Sequence, residues 1–178
     1  MMKRTIKGVL TGLIGLILLC QSCTYSLSLN GASIPANLKT IRVDFFENTA
    51  LLVVNTLSQQ FTEALKQRIR NTTRLNIVNA GNEADAVMSG SITDYSIAPV
   101  SISATPGNVV PRAGASRLSI TVNVKYVFEA NKKLSFEQSF TKYEDFTGDI
   151  ASHEQSLIAD INKQLTEDIF NRAFANWN

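Results

Sequence analysis

Cysteine is nearly missing from this chain: of 178 residues only Cys20 and Cys23 carry a thiol. Nothing after position 23 can form a disulfide, a thiolate metal centre or a cysteine nucleophile. Histidine is scarcer still, with His153 alone, and a metal site needs several His, Cys or carboxylate ligands converging. There is no G-x-S-x-G segment and no phosphate-cradling glycine loop. The acidic pairs Glu144-Asp145 and Glu167-Asp168 are neighbours in sequence. On a strand such a pair points to opposite faces, and on a helix it is splayed by about 100°, so neither reads as a catalytic dyad. The expectation is a protein that is not an enzyme and needs neither cofactor nor metal. Charge is also sparse, at 18% against roughly 25% in ordinary soluble domains. Ser, Thr, Asn and Gln take its place, as on an ordinary polar surface or on one that a partner covers.

What is present begins with Lys3, Arg4 and Lys7, an apolar run from Val9 to Leu19, and then Gln21-Ser22-Cys23. A basic start, a short apolar core and a small residue before the cut describe a secretory signal over residues 1–22. The core is shorter than the roughly 20 residues a spanning helix needs. Cys23 directly after Ser22 resembles a bacterial lipobox, in which the Cys is acylated and becomes the new N-terminus. Cys20 stands where that motif usually has Leu, and a plain signal peptide or an uncleaved anchor are the alternatives. Thr24 follows, and no acidic residue occurs before Asp44. The absence of an acidic residue after the Cys favours the outer membrane, with the protein lipid-anchored and facing the periplasm. Of the 17 basic residues three would leave with the signal, so 14 remain against 15 acidic ones, a net charge of −1. That balance removes the main support for a nucleic-acid partner.

Residues 23–37, rich in Ser and Asn and holding Pro35, read as an extended leader, and 38–178 as a single domain. Leu38 to Phe46 alternates, with Ile41, Val43 and Phe45 on one face of a strand. Glu47-Asn48-Thr49 reads as a turn. From Ala50 to about Arg70 the period becomes helical, through Val54, Leu57, Phe61, Leu65 and Ile69. Leu75–Val78 is a possible short strand, and Ala84–Ile97 a longer one in which Gly90 is a weak point or a bulge. Residues 98–116 hold three of the four prolines and two of the nine glycines, and read as a long loop. Leu118, Ile120, Val122, Val124, Tyr126 and Phe128 then alternate with Ser119, Thr121, Asn123, Lys125 and Val127: a strand with one buried and one wet face. A turn at Glu129–Lys133 returns the chain as a strand from Leu134 to about Phe146. Ser152-His-Glu-Gln155 fits a capping box, and Ile158, Ile161, Leu165, Ile169, Ala173 and Trp177 continue at helical spacing. The order β-α-β-β-β-α implies an α+β fold: two helices packed on one face of a mixed, mostly antiparallel sheet of about four strands.

Arg112, Arg117 and Lys125 are the candidate binding residues. Arginine forks match phosphate oxygens bidentately, so a loop-and-strand patch of this kind could hold an anionic lipid head group. Scattered charges on a solvated face are the alternative. His153 reads as an exposed helix-start residue, and Trp177 as core or as an interface anchor.

The layout as a whole resembles a known family. Cys23-Thr-Tyr-Ser, Ser33-Ile-Pro35, Thr40-Ile-Arg-Val-Asp-Phe-Phe-Glu-Asn48, Ala84-Asp-Ala-Val-Met-Ser-Gly-Ser-Ile92, the Arg117–Phe128 and Phe136–Phe146 strands and the closing helix are similar to LptE-type lipopolysaccharide-assembly lipoproteins. The resemblance implies a lipoprotein seated inside the large β-barrel of the lipopolysaccharide translocon, acting as plug and assembly partner and assisting lipopolysaccharide delivery to the cell surface. It carries no ligand-binding residue securely onto this sequence. A different class opens with a similar strand and helix: periplasmic lipoproteins that activate cell-wall synthases or form secretion pores. The short leader, Cys-Thr-Tyr-Ser and the closing helix favour the first.

Overall fold

The computed structural model describes residues 34–52, 54–103 and 112–175; Cys23, the signal, most of the leader and Trp177 lie outside them. A mixed sheet orders its strands β3-β1-β4-β5-β6. These are β1 Thr40–Val43, β3 Asn76–Val78, β4 Ala86–Ser103, β5 Arg112–Phe128 and β6 Phe136–Phe146. A two-residue strand, β2 (Glu47–Asn48), also pairs with β4. Strands β1 and β3 run parallel, as do β1 and β2 with β4, while β4-β5-β6 is an antiparallel meander. Helices α1 (Leu57–Thr72) and α2 (Glu154–Phe174) cover one face. The α+β expectation holds, with six strands where about four were expected.

The alternation of β5 governs the packing. Leu118, Ile120, Val122, Val124, Tyr126 and Phe128 are all fully buried. They meet Leu57, Phe61, Leu65 and Ile69 of α1 and Ile158, Ile161, Leu165, Ile169 and Phe174 of α2 in one core. Each such side chain contributes about 1.5–3 kcal/mol by leaving water. On β6 the same face carries Lys142 and Glu144, and α2 answers both. Asp168 pairs with Lys142 at 2.7 Å, and Gln164 donates to Glu144. Glu144 and Asp145 do diverge to opposite faces, since Asp145 meets Arg117 on the far side.

The first strand departs from its alternation. After Val43 the ladder breaks, although the Asp44 N–H still reaches the Met88 carbonyl at 2.9 Å. The chain then turns Phe45 out, 57% exposed, and Phe46 fully in. The Phe46 N–H donates to Thr62 Oγ1 of α1 at 3.1 Å, and its ring meets Phe61 edge-on at 5.1 Å. Glu47–Asn48, expected as a turn, is strand β2, and α1 starts only at Leu57, leaving Leu51 and Leu52 exposed. Gly90 is no bulge: it stays in register with Val124, and the shift falls between Ile92 and Asp94. Its role is space, because a Cβ there would lie 2.0 Å from the Asn123 carbonyl oxygen and 2.7 Å from the Phe46 ring.

Two further expectations are corrected. Most of residues 98–116 is strand: β4 continues to Ser103 and β5 begins at Arg112, with Ala98 opposite Arg117 and Ser103 opposite Arg112. Prolines are tolerated on edge strands, and beyond β2 the β4 strand has a partner on one side only, so Pro99 costs little. The helix start at Ser152–Gln155 has no capping box. His153 is the N-cap, without a side-chain cap bond, and Gln155 accepts instead from Gln60 Nε2 of α1 at 3.0 Å. His153 is exposed, as its place implied.

Candidate functional site

Among the described residues no helix covers the other face of the β4-β5-β6 meander. The alternation that buries the apolar half of β5 presents Arg117, Ser119, Thr121, Asn123, Lys125 and Val127 here. Register sets hydroxyl and amide side chains in rows across the strands: Ser91, Asn123 and Ser139 in one, Ser96, Ser119 and Tyr143 in another. Thr121 and Thr141 share a hydroxyl hydrogen bond at 2.8 Å, and Asn123 Nδ2 donates to Ser139 Oγ at 3.4 Å. Between Arg117 and Lys125 the β5 row has no ionisable side chain. The result is a hydrogen-bonding surface with a single carboxylate in its middle, Asp94, which lies opposite Thr121 and accepts from Ser96 Oγ at 2.8 Å.

Arg117 closes one end of it. Its Nε and Nη2 donate to the two oxygens of Asp145 at 2.7 and 3.0 Å, and its guanidinium lies 3.7 Å over the half-exposed Tyr143 ring. That bond holds the Asp145 carboxyl below the usual carboxylate range and raises Arg117. Lys125 closes the other end, exposed and opposite Glu137.

The three basic residues expected as one patch are not brought together. Arg117 and Lys125 share a strand and a face, but eight residues at about 3.3 Å each put them roughly 26 Å apart. Arg117 is already engaged by a carboxylate and a ring. Arg112 belongs to the far stretch of β5, and its side chain lies outside the described residues. Sequence reasoning missed Asp145 and Tyr143 as partners of Arg117. The signal was available: once β5 and β6 form a hairpin, counting back from Tyr126–Phe136 pairs Arg117 with Asp145.

Beyond Ser116 β5 leaves β6 behind, and β4 and β5 continue as a two-stranded ribbon. Val100 is exposed on it, and Ile97 is exposed just before it, opposite Leu118. Where the ribbon leaves the sheet, Tyr95 donates to Glu154 Oε1 at the start of α2 at 2.8 Å. Burial, with that acceptor beside it, pushes the Tyr95 phenol upward. Among the described residues no three His, Cys, Asp or Glu side chains gather as metal ligands would.

The fold is thus a helix-backed sheet with an open polar face and a two-stranded ribbon at one end. The chain belongs to the lipopolysaccharide-assembly family LptE, whose model matches residues 38–173. Its fold is similar to lipoprotein B from Nitrosomonas europaea, at 18% identity and a TM-score of 0.51, over 84% of this chain and 86% of that one. It is also similar to rare lipoprotein B from Shewanella oneidensis, at 13% identity and a TM-score of 0.51, over 75% and 92% of the two chains. No curated protein matches the sequence.

Proposed function

We propose that this protein is a lipid-anchored plug and assembly partner of the lipopolysaccharide translocon barrel, held by acylated Cys23 in the outer membrane and facing the periplasm. In that place it assists delivery of lipopolysaccharide to the cell surface without catalysing a reaction. Membership of the lipopolysaccharide-assembly family over residues 38–173 carries the reading. The fold adds physical support. A domain enclosed by a polar barrel wall needs a surface that is wet when alone and free of unpaired charge when covered, because an uncompensated buried charge is costly. The β5 hydroxyl row between Arg117 and Lys125 carries no charge, Arg117 brings its own carboxylate, and Asp94 on the neighbouring strand accepts from Ser96. The lipoprotein names of the two structural relatives agree with an acylated Cys23.

The test is purification of the tagged full-length protein from membranes in mild detergent, with mass spectrometry of its companions. A large outer-membrane β-barrel at about one to one is the expected result. A cell-wall synthase in its place, or rings of this chain alone, would overturn the plug reading. A Cys23→Ala variant should lose palmitate labelling and leave the membrane fraction; continued labelling would overturn the lipidation.

A further inference from the structure

Charge is sorted along the strand axis, although the chain is nearly neutral. Strands β1 and β3 begin, β5 ends and both long helices finish at one end of the molecule. That end carries Lys39, Arg74, Lys125, Lys132, Lys133 and Arg172. Its acids are fewer and partly occupied. Asp85 spends one carboxylate oxygen on the N–H groups of Lys39 and Thr40 and on the Thr40 hydroxyl, Glu129 lies 3.6 Å from Lys132, and Glu83 and Glu137 remain. The opposite end, at the base of the ribbon, presents Asp149 and Glu154, while Arg117 there is neutralised by Asp145; Asp94 lies midway along the sheet, opposite Thr121. The chain enters the domain at the basic end: Ile34 and Pro35 lead to a turn closed by the Leu38 N–H on the Pro35 carbonyl, directly before β1.

We infer that the basic end is a membrane-contact surface that rests on anionic lipid head groups. The inference deepens the proposed function and depends on its lipid anchor at Cys23. Ten residues separate Cys23 from Ile34, and a fully extended chain spans at most about 3.6 Å per residue, so the basic end stays within roughly 40 Å of the acyl chains. The tether keeps the basic end within reach of the surface, and within a Debye length of it, about 10 Å, negative head groups favour each Lys or Arg by about a factor of five in binding. The acidic end is repelled. Tether and field therefore act together, turning the Glu129–Leu134 turn toward the lipid and the ribbon away from it.

Purified, acylated full-length protein is reconstituted into phosphatidylcholine vesicles, with or without phosphatidylglycerol, and lysine acetylation rates are read by mass spectrometry. In the anionic vesicles Lys132 and Lys133 should react about fivefold more slowly than in the neutral ones, while the exposed Lys163 of α2 reacts equally in both. High salt should erase the difference by screening. The double variant Lys132→Glu, Lys133→Glu, in a fully exposed stretch of turn, should lose the slowing at Lys39 and Lys125 as well. Equal rates in both vesicle types would overturn the membrane surface while the anchor stands. Slowing only when an acidic protein partner is added would overturn it in favour of a protein contact. Escape of the protein from both vesicle types would overturn the anchor, and this inference with it.

Discussion

On one side of β5 six consecutive alternate residues, Leu118 to Phe128, have no solvent exposure and pack beneath two helices. On the other side the residues between them make sideways hydrogen bonds to β6 and face outward. This one stretch of β5 thus serves two ends. The covered face supplies free energy through apolar burial, in which volume and shape decide the outcome. The open face supplies little stability, because a side-chain hydrogen bond at a wet surface replaces one to water. It does keep a fixed pattern of donors and acceptors. The pleat separates the stabilising face from the face proposed for recognition, so each can be broken without the other.

The largest effect should come from Gly90, where the covered face has no room at all. In Gly90→Ala the new methyl meets backbone, the Asn123 carbonyl oxygen, and the Phe46 ring. Overpacking of this kind costs about 1–3 kcal/mol, occasionally more, and backbone on one side puts this site at the upper end. The midpoint of urea unfolding at pH 7 measures it. Adding Phe46→Ala relieves only the ring contact and opens a cavity worth about 3–5 kcal/mol, so the double variant should be less stable than either single one. Recovery instead would show that the ring alone sets the limit.

A smaller effect should come from the edge where β1 joins β4. Asp85 accepts from two backbone N–H groups and a hydroxyl, while its own N–H donates to Thr40 Oγ1. The backbone bonds from Lys39 and Thr40 hold its carboxyl below the usual range. A carboxyl whose folded pKa lies below its unfolded value of about 3.9 adds stability above that pH and loses it as the pH falls through the folded value. Asp85→Ala should therefore be less stable than the native protein at pH 7, and the gap should narrow below pH ~4, as the unfolded pKa requires. A gap independent of pH would mean that packing, not the carboxylate, holds β1 in place.

How far the sequence discloses these two faces depends on where the information lies. The alternation from Leu118 to Phe128 identifies β5 because burial on one side and water on the other leave a local, period-two record. The helical faces through Phe61, Leu65, Ile158 and Ile161 are legible for the same reason. Phe45 and Phe46 defeat the method: both are aromatic, and which one turns inward depends on Thr62 in a helix sixteen residues later. Pro99 misleads because composition records turn chemistry and not the absence of a neighbour that makes an edge proline harmless. At the candidate site Arg117 is legible as a charge at the end of the expected loop. Its pairing with Asp145 across 28 residues requires register, which residue types alone do not encode.

The smallest effect on folding, and the most telling for function, should come from the open face itself. Thr121→Val keeps the β-branched shape and removes one hydroxyl of the Thr121–Thr141 pair, a change of about 1 kcal/mol or less. The reverse exchange one position along, Val122→Thr, places a hydroxyl among fully buried neighbours and should cost about 1–3 kcal/mol if the group finds no partner. Urea midpoints of the two variants should differ accordingly. Recovery of a barrel partner in detergent should respond the other way: Thr121→Val, with Ser139→Ala added to remove a second hydroxyl from the same face, should weaken co-purification, and Val122→Thr should not. A weakened complex from Val122→Thr alone, with the open-face variant unaffected, would place the contact surface somewhere other than the hydroxyl rows.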